Sequence, residues 1–305
     1  MTLFYSLSVA PVVIAAVVAL VPWLLRAPRT SVATGAVRTS TAVAAGVILL
    51  VAIAFALVAI YPFWLNSLPL ETILEEQDWR FVLPLILGLA TLVVLAFPIG
   101  GNAVRGSAEL SRRTPLSFAR PWRFVVLGVL ILISFGLALA AGSASRRDDR
   151  GHYTLYAVHV GSVTSETTIY GWFYSVPCLI LLAAVAAVSM ADLVLISRPA
   201  LAAERDRDTA VRRMRCLNVV RVGSGAVLIH LSAVLLSLAG TSSLNTEVST
   251  GTVGLVSVGS SFGALTAALE VTSAVVEALG LALWFSTLLS VFPTPLRSRE
   301  SARVA

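Results

Sequence analysis

Long apolar stretches alternate with short polar stretches along the whole chain. An α-helix needs roughly 20 apolar residues to cross the hydrocarbon core of a bilayer, and seven stretches meet this length. They lie at 4–25, 42–64, 81–99, 123–142, 172–196, 222–241 and 265–292. Because a buried helix of a soluble protein explains one such stretch but not seven, the pattern predicts an all-α, polytopic membrane protein with about seven transmembrane helices.

Composition supports one integral membrane domain over 1–305, with the lipid bilayer as its main partner. Hydrophobic residues make up 57% of the 305 residues and charged residues 12%, whereas a soluble domain carries about 25% charged residues. The net charge of +6 does not indicate a nucleic-acid partner, because the basic residues lie in short segments between the spans. All 22 basic residues are Arg, which is typical of a GC-rich genome, and we expect a bacterial plasma membrane.

The distribution of Arg between the spans predicts the orientation. Eighteen of the 22 Arg lie in the first, third and fifth connecting segments and in the C-terminal tail. Since basic residues are concentrated on the cytoplasmic side, the N-terminus is predicted outside and the C-terminus in the cytoplasm. No basic residue precedes the first apolar stretch, so this stretch is interpreted as a transmembrane helix rather than a cleaved signal peptide.

Spans 1–3 and 5–7 share short sequence landmarks in the same order. Phe-Tyr-Ser opens spans 1 and 5, and Leu-Gly-Leu-Ala followed by Phe-Pro occurs at 87–98 and 279–293. These landmarks predict a three-plus-one-plus-three arrangement, with parallel halves 1–105 and 172–297 linked by the span at 123–142. Chance similarity between apolar helices that end near Pro is the alternative. The topology resembles that of the sugar-exporting SWEET proteins, but their paired Pro-Gln motifs are absent, so no residue role is carried over.

Three acids and one histidine lie inside apolar spans and are the candidate site: Glu277, Glu270, Asp192 and His230. A charge at the bilayer centre costs about 2.5–3.5 kcal/mol on insertion scales, so such residues are functional candidates. Glu277 and Glu270 share one helical stripe of span 7, and Asp192 lies toward the cytoplasmic end of span 5. His230, near the middle of span 6, is the natural partner of Glu277, and such a pair would suit a proton-coupled step; the residues themselves favour a pair, or a protonated Glu277, that only fixes helix packing. The stripe comprises Thr266, Glu270, Ser273, Glu277, Gly280, Trp284 and Thr287.

The segment between spans 4 and 5, residues 143–171, is predicted to be external. Thr154–Val160 is rich in strand-forming residues and could pair with 165–169 across Gly161-Ser162 as part of a hairpin; a capping external loop is the interpretation that the segment favours. The acids and histidines of this segment match no metal-ligand spacing. No catalytic motif is visible, so neither an enzyme, a cofactor nor a metal is predicted.

These features favour a transporter or permease-type membrane component of unknown substrate. The alternative function is a structural or regulatory membrane subunit without transport activity of its own. In that case the basic segment Arg198–Arg221, predicted to be a cytoplasmic loop, would contact a partner protein or anionic lipid.

Overall fold

The computed structural model describes residues 2–25, 35–60, 79–97, 120–160, 163–197, 205–250 and 254–293. These residues form seven α-helices, and the five from α3 onward are long and apolar enough to cross a membrane. An all-α fold with several such helices agrees with the prediction of a multi-pass membrane protein. The helices are α1 (Thr2–Leu25), α2 (Gly35–Ile60), α3 (Trp79–Ala96), α4 (Pro121–Ala144), α5 (Trp172–Ser197), α6 (Arg205–Ser242) and α7 (Thr266–Leu289).

Helix α6 begins far earlier than the apolar stretch at 222–241 predicts. It starts at Arg205, so most of the segment Arg198–Arg221 is helical, and the prediction of a cytoplasmic loop is wrong from Arg205 onward. Cys216 accordingly lies buried in a helix and not in a loop. The apolar stretch begins only near residue 222. The polar residues before it find hydrogen-bond partners inside the protein, so the helix extends toward the N-terminus through them.

Helix α6 is the centre of the bundle. It contacts α3, α4, α5 and α7, whereas α7 also packs against α1 and α2. Two buried apolar clusters lie on different sides of α6. One is built mainly from α3, α4 and α5, and we call it the α5 side; the other involves α1, α2 and α7, and we call it the α7 side.

Two β-hairpins lie together at one end of the bundle, which we call the hairpin end. The first consists of β2 (Tyr153–Val160) and β3 (Val163–Thr168), with the short strand β1 (Arg146–Arg147) beside β2. Leu155 pairs with Thr168 and Val160 with Val163, so the hairpin is present and the favoured interpretation of this segment as a capping loop is wrong.

A second hairpin, formed by β4 (Asn245–Thr250) and β5 (Gly254–Gly259), was not predicted. The hairpins touch through the hydroxyls of Ser165 and Thr246, which lie 2.7 Å apart. The strand-forming residues Thr246, Val248 and Thr250, followed by the Gly251 and Gly254 of the sequence, were the signal that could have revealed this hairpin.

Candidate functional site

The predicted polar stripe of α7 lies against α6 on the α7 side. Ser273 Oγ donates a hydrogen bond to the Ser232 carbonyl at 2.9 Å, and Trp284 Nε1 donates to the Val222 carbonyl at 3.2 Å. In a membrane such bonds hold helices together, because lipid cannot satisfy polar groups. These members of the stripe therefore form a packing seam.

Glycines bring α6 and α7 close together in this seam. A Cβ atom added to Gly225 would lie 2.5 Å from the Trp284 indole, and one added to Gly280 would lie 2.7 Å from Ile229. Small residues at such positions permit close helix approach in membranes. The α7 side thus combines close backbone packing with paired polar groups.

The two acids of α7 differ in their surroundings. Glu270 is exposed on the surface of the bundle, whereas Glu277 is partly buried. Within the part of the chain that the structure describes, no hydrogen bond or ion pair involves Glu277. Glu277 therefore remains a candidate site residue.

His230 does not turn toward α7. Its Nδ1 donates a hydrogen bond to the Phe81 carbonyl in α3 at 2.8 Å, and its ring meets Tyr170 edge-on. The structure thus does not bring His230 and Glu277 together as a hydrogen-bonded pair. The reason is helical rotation: Ile229 and Ser232 face α7, and each residue of a helix is turned by about 100° from the one before it.

Buried arginines of α6 bind the ends of neighbouring helices at the end of the bundle opposite the hairpins, which we call the arginine end. Arg212 is 0% exposed, and its Nη1 donates to the Ile196 carbonyl of α5 at 2.7 Å. Arg215 is 5% exposed, and its Nη2 donates to the carbonyls of Leu95 and Ala96 in α3 at 3.0 and 2.9 Å. The last carbonyls of a helix lack partners within the helix and carry partial negative charge, so guanidinium groups stabilise them.

These contacts reduce the part of the basic segment Arg198–Arg221 that a partner protein could reach. Arg212 also forms an ion pair with Asp208 at 2.8 Å, and both Arg212 and Arg215 are enclosed by the protein. Arg213, between them, is exposed. A partner at this segment would therefore meet Arg213 and not its two buried neighbours.

Asp192 of α5 is the most deeply buried of the candidate acids. It is 1% exposed, and its Oδ2 has no hydrogen-bond partner among the described residues. The positive charge that acts on it comes from Arg215 of α6. A buried charged or polar atom without a hydrogen bond is costly, so Asp192 is the candidate whose surroundings packing explains least.

Ser189 lies one helical turn from Asp192 and shares this property. Its Oγ has no hydrogen-bond partner in the described ranges, and the side chain is 3% exposed. Helix α6 presents Gly223 here, and a Cβ added to Gly223 would lie 3.1 Å from Ser189 Oγ. Two buried oxygens without partners therefore lie one turn apart at the α5 side.

A third such oxygen belongs to Ser175, near the start of α5. Ser175 is 0% exposed, and no described residue forms a hydrogen bond with its Oγ. Ser175, Ser189 and Asp192 lie on the same face of α5, separated by buried Leu182 and Val185. Their recurrence at helical spacing in span 5 is visible in the sequence, but serines are common in membrane helices and carry no charge that would mark them as candidates.

Asp148 follows α4 outside the membrane-spanning segments and has an ordinary structural role. Desolvation acts to raise the pKa of Asp148, but hydrogen bonds from the His152 backbone N–H, the Thr154 hydroxyl and the Arg150 backbone N–H outweigh it. The pKa is therefore held below its usual value. In the described part of the chain, no group of three or more His, Cys, Asp or Glu side chains is arranged to hold a metal ion.

Comparison of the chain with protein-family models, with curated proteins and with solved structures found no match. The site must therefore be interpreted from its own geometry.

Proposed function

We propose that the protein is a transporter or permease-type component of a membrane, and that Asp192 belongs to its transport site. The observation that carries this proposal is a carboxylate oxygen buried in the helix bundle without a hydrogen-bond partner among the described residues. An acid inside a membrane protein is costly and is typical of ion and solute pathways. In the seam between α6 and α7, by contrast, the Ser273 hydroxyl and the Trp284 indole do find hydrogen-bond partners.

The proposed orientation has the hairpin end outside and the arginine end in the cytoplasm of a bacterial cell. It rests on the concentration of Arg in alternate connecting segments. The two hairpins, which touch each other, would then form a small external cap over α5, α6 and α7.

We also propose the duplication of halves 1–105 and 172–297. Helix α7 packs against α1, and α3 packs against α5. A two-fold axis along the membrane normal would exchange these two pairs, since it relates α1 to α5 and α3 to α7. The central position of α6, which has no equivalent in α2, is a departure from an exact repeat.

The transport proposal is tested with a panel of solutes. Purified protein is screened for thermal stabilisation by sugars, amino acids, inorganic ions and organic cations, and stabilising solutes are then measured for uptake into liposomes. We expect uptake by the native protein, its loss in Asp192→Asn, and its retention in Ser273→Ala, the control in the α6–α7 seam. Glu277→Gln is measured in parallel because Glu277 is the other acid inside the bundle.

Two results would contradict the proposal. Uptake that is equal in the native protein and in Asp192→Asn removes Asp192 from the site. Absence of uptake for every stabilising solute, with correctly folded protein in the liposomes, rejects transport by this chain alone.

The second candidate function is a structural or regulatory subunit that binds a partner protein. The exposed position of Arg213 between two buried arginines favours it, because this arginine remains available to an acidic partner. A partner that co-purifies with the native protein and is lost in Arg213→Ala would support this function. A chain that purifies alone and transports a solute would count against it.

A further inference from the structure

The three oxygens without partners on α5 lie near opposite ends of one helix face. Ser175 is near the hairpin end, while Ser189 and Asp192 are near the arginine end. Fourteen residues separate the two serines, which corresponds to about 21 Å along a helix axis. Buried polar groups of this kind are normally satisfied by protein or by internal water, so both ends of this face are suited to hydration.

The middle of the same face is apolar. Leu182 and Val185 are buried in the cluster that also contains Leu127 of α4 and Val222 and Val227 of α6. An apolar layer of this kind excludes water, and it can therefore interrupt a hydrated path although it carries no charge. The α5 side therefore has polar oxygens at both ends and an apolar layer between them, which we call the Leu182–Val185 layer.

We propose that this face of α5 is a proton path, with Asp192 as the proton-binding group and the Leu182–Val185 layer as its gate. The proposal rests on the transport function above and deepens it by naming the proton as the coupled ion. A proton from water at the hairpin end passes Ser175 by way of internal water when the layer opens. It binds Asp192 Oδ2 and then leaves to water at the arginine end, so one proton is taken up and one is released, with no other reactant.

The neighbours of Asp192 are compatible with this role. Among the described residues, Arg215 of α6 is the charge that acts on the carboxyl; Arg212 lies near Arg215 and is held by Asp208. Helix α3 contributes the carbonyls that Arg215 binds, and α4 contributes apolar residues to the same cluster. Because Arg215 stays charged, the proton that moves is carried by Asp192.

A gain-of-function experiment tests the gate without any solute. The protein is placed in liposomes of phosphatidylcholine and phosphatidylglycerol that enclose a pH-sensitive dye, and a potassium gradient with valinomycin drives proton entry. We expect Val185→Ser to acidify the lumen several-fold faster than the native protein, because a hydroxyl hydrates the layer. Adding Asp192→Asn to this variant should return the rate to the native level.

Val275→Ser is the matched control, since Val275 is exposed on the lipid-facing surface of α7 and lies outside the path. The proposal is overturned if Val185→Ser leaks no faster than this control, or if the leak persists in the double variant. Proton entry that depends on Asp192 while every solute fails in uptake would leave the path intact and reject only the solute transporter.

A second measurement does not depend on the folding of Val185→Ser. Infrared difference spectra of the native protein after a pH jump should contain a carboxyl band that Asp192→Asn lacks. This band should shift when H2O is replaced by D2O, because water reaches the carboxyl. A band that is absent, or that does not shift after prolonged exchange, contradicts the proton path.

Discussion

The two sides of α6 lie in the same bundle but differ in whether their buried polar side chains have hydrogen-bond partners. On the α7 side, Ser273 and Trp284 bind backbone carbonyls of α6. On the α5 side, Ser189 and Asp192 keep oxygens that no described residue satisfies. A polar stripe in an apolar helix therefore does not by itself identify a site: apart from Glu277, the buried polar groups of the α7 stripe described above serve packing, whereas the face of α5 holds three fully buried oxygens without described partners.

The largest effect is expected from Arg215→Met. This change removes the guanidinium that binds the Leu95 and Ala96 carbonyls and whose charge acts on Asp192, and each buried polar group left unsatisfied costs about 1–3 kcal/mol. The free energy of unfolding, measured by circular dichroism during titration with sodium dodecyl sulfate, should fall by this order. Adding Asp192→Asn should recover part of the loss; no recovery would show that Arg215 acts only on the α3 carbonyls.

A smaller effect should distinguish two glycines that lie on different faces of α6. Gly225→Ala places a methyl group 2.5 Å from the Trp284 indole, and overpacking of this kind costs about 1–3 kcal/mol. Gly223→Ala places a methyl group 3.1 Å from the Ser189 hydroxyl and 3.6 Å from Leu127, which is a milder contact, so its loss of stability should be the smaller of the two. Equal losses in the two variants, measured by thermal unfolding, would mean that both sides are packed equally closely.

Two serine substitutions should change the free energy of unfolding differently: one should lower it and the other should not. Ser273→Ala removes a bond to the Ser232 carbonyl, and interhelical hydrogen bonds in membranes contribute about 0.6 kcal/mol on average. Ser189→Ala removes an oxygen without a described partner, so the same unfolding assay should show equal or higher stability. A loss at Ser189 as large as that at Ser273 would indicate that Ser189 has a structural partner.

The smallest effect is expected at Asp148, an acid that is satisfied outside the bundle, in contrast to Asp192. Its pKa in the folded protein is lowered from the ordinary 3.8, so its contribution to stability is present above pH 3.8 and is lost as the pH falls through the lower folded value. Asp148→Asn should therefore make the first hairpin exchange its amide hydrogens faster near neutral pH and flatten the acid dependence. An unchanged acid profile in this variant would contradict the role of the carboxylate.

Local patterns predicted much of this structure. Apolar length located the seven helices of the described residues, and the strand-forming residues of Thr154–Val160 indicated the first hairpin as the alternative to a capping loop. The start of α6 was missed because Arg212 and Arg215 resemble solvated loop residues until the helix ends that they bind are known. The second hairpin was not predicted because 245–250 is mostly polar and lacks the alternation of apolar and polar residues that is typical of a strand.

The sequence by itself determined that the chain forms long apolar helices, because in a lipid environment a backbone must satisfy its hydrogen bonds within each segment. It also determined which polar residues lie inside those helices. Only the tertiary structure decided which of them find partners, since this depends on helix rotation and on contacts between residues far apart in the chain. The rotation of α6 directs His230 to Phe81 in α3, and the packing of α5 against α6 buries Asp192 almost completely while its Oδ2 has no described hydrogen-bond partner.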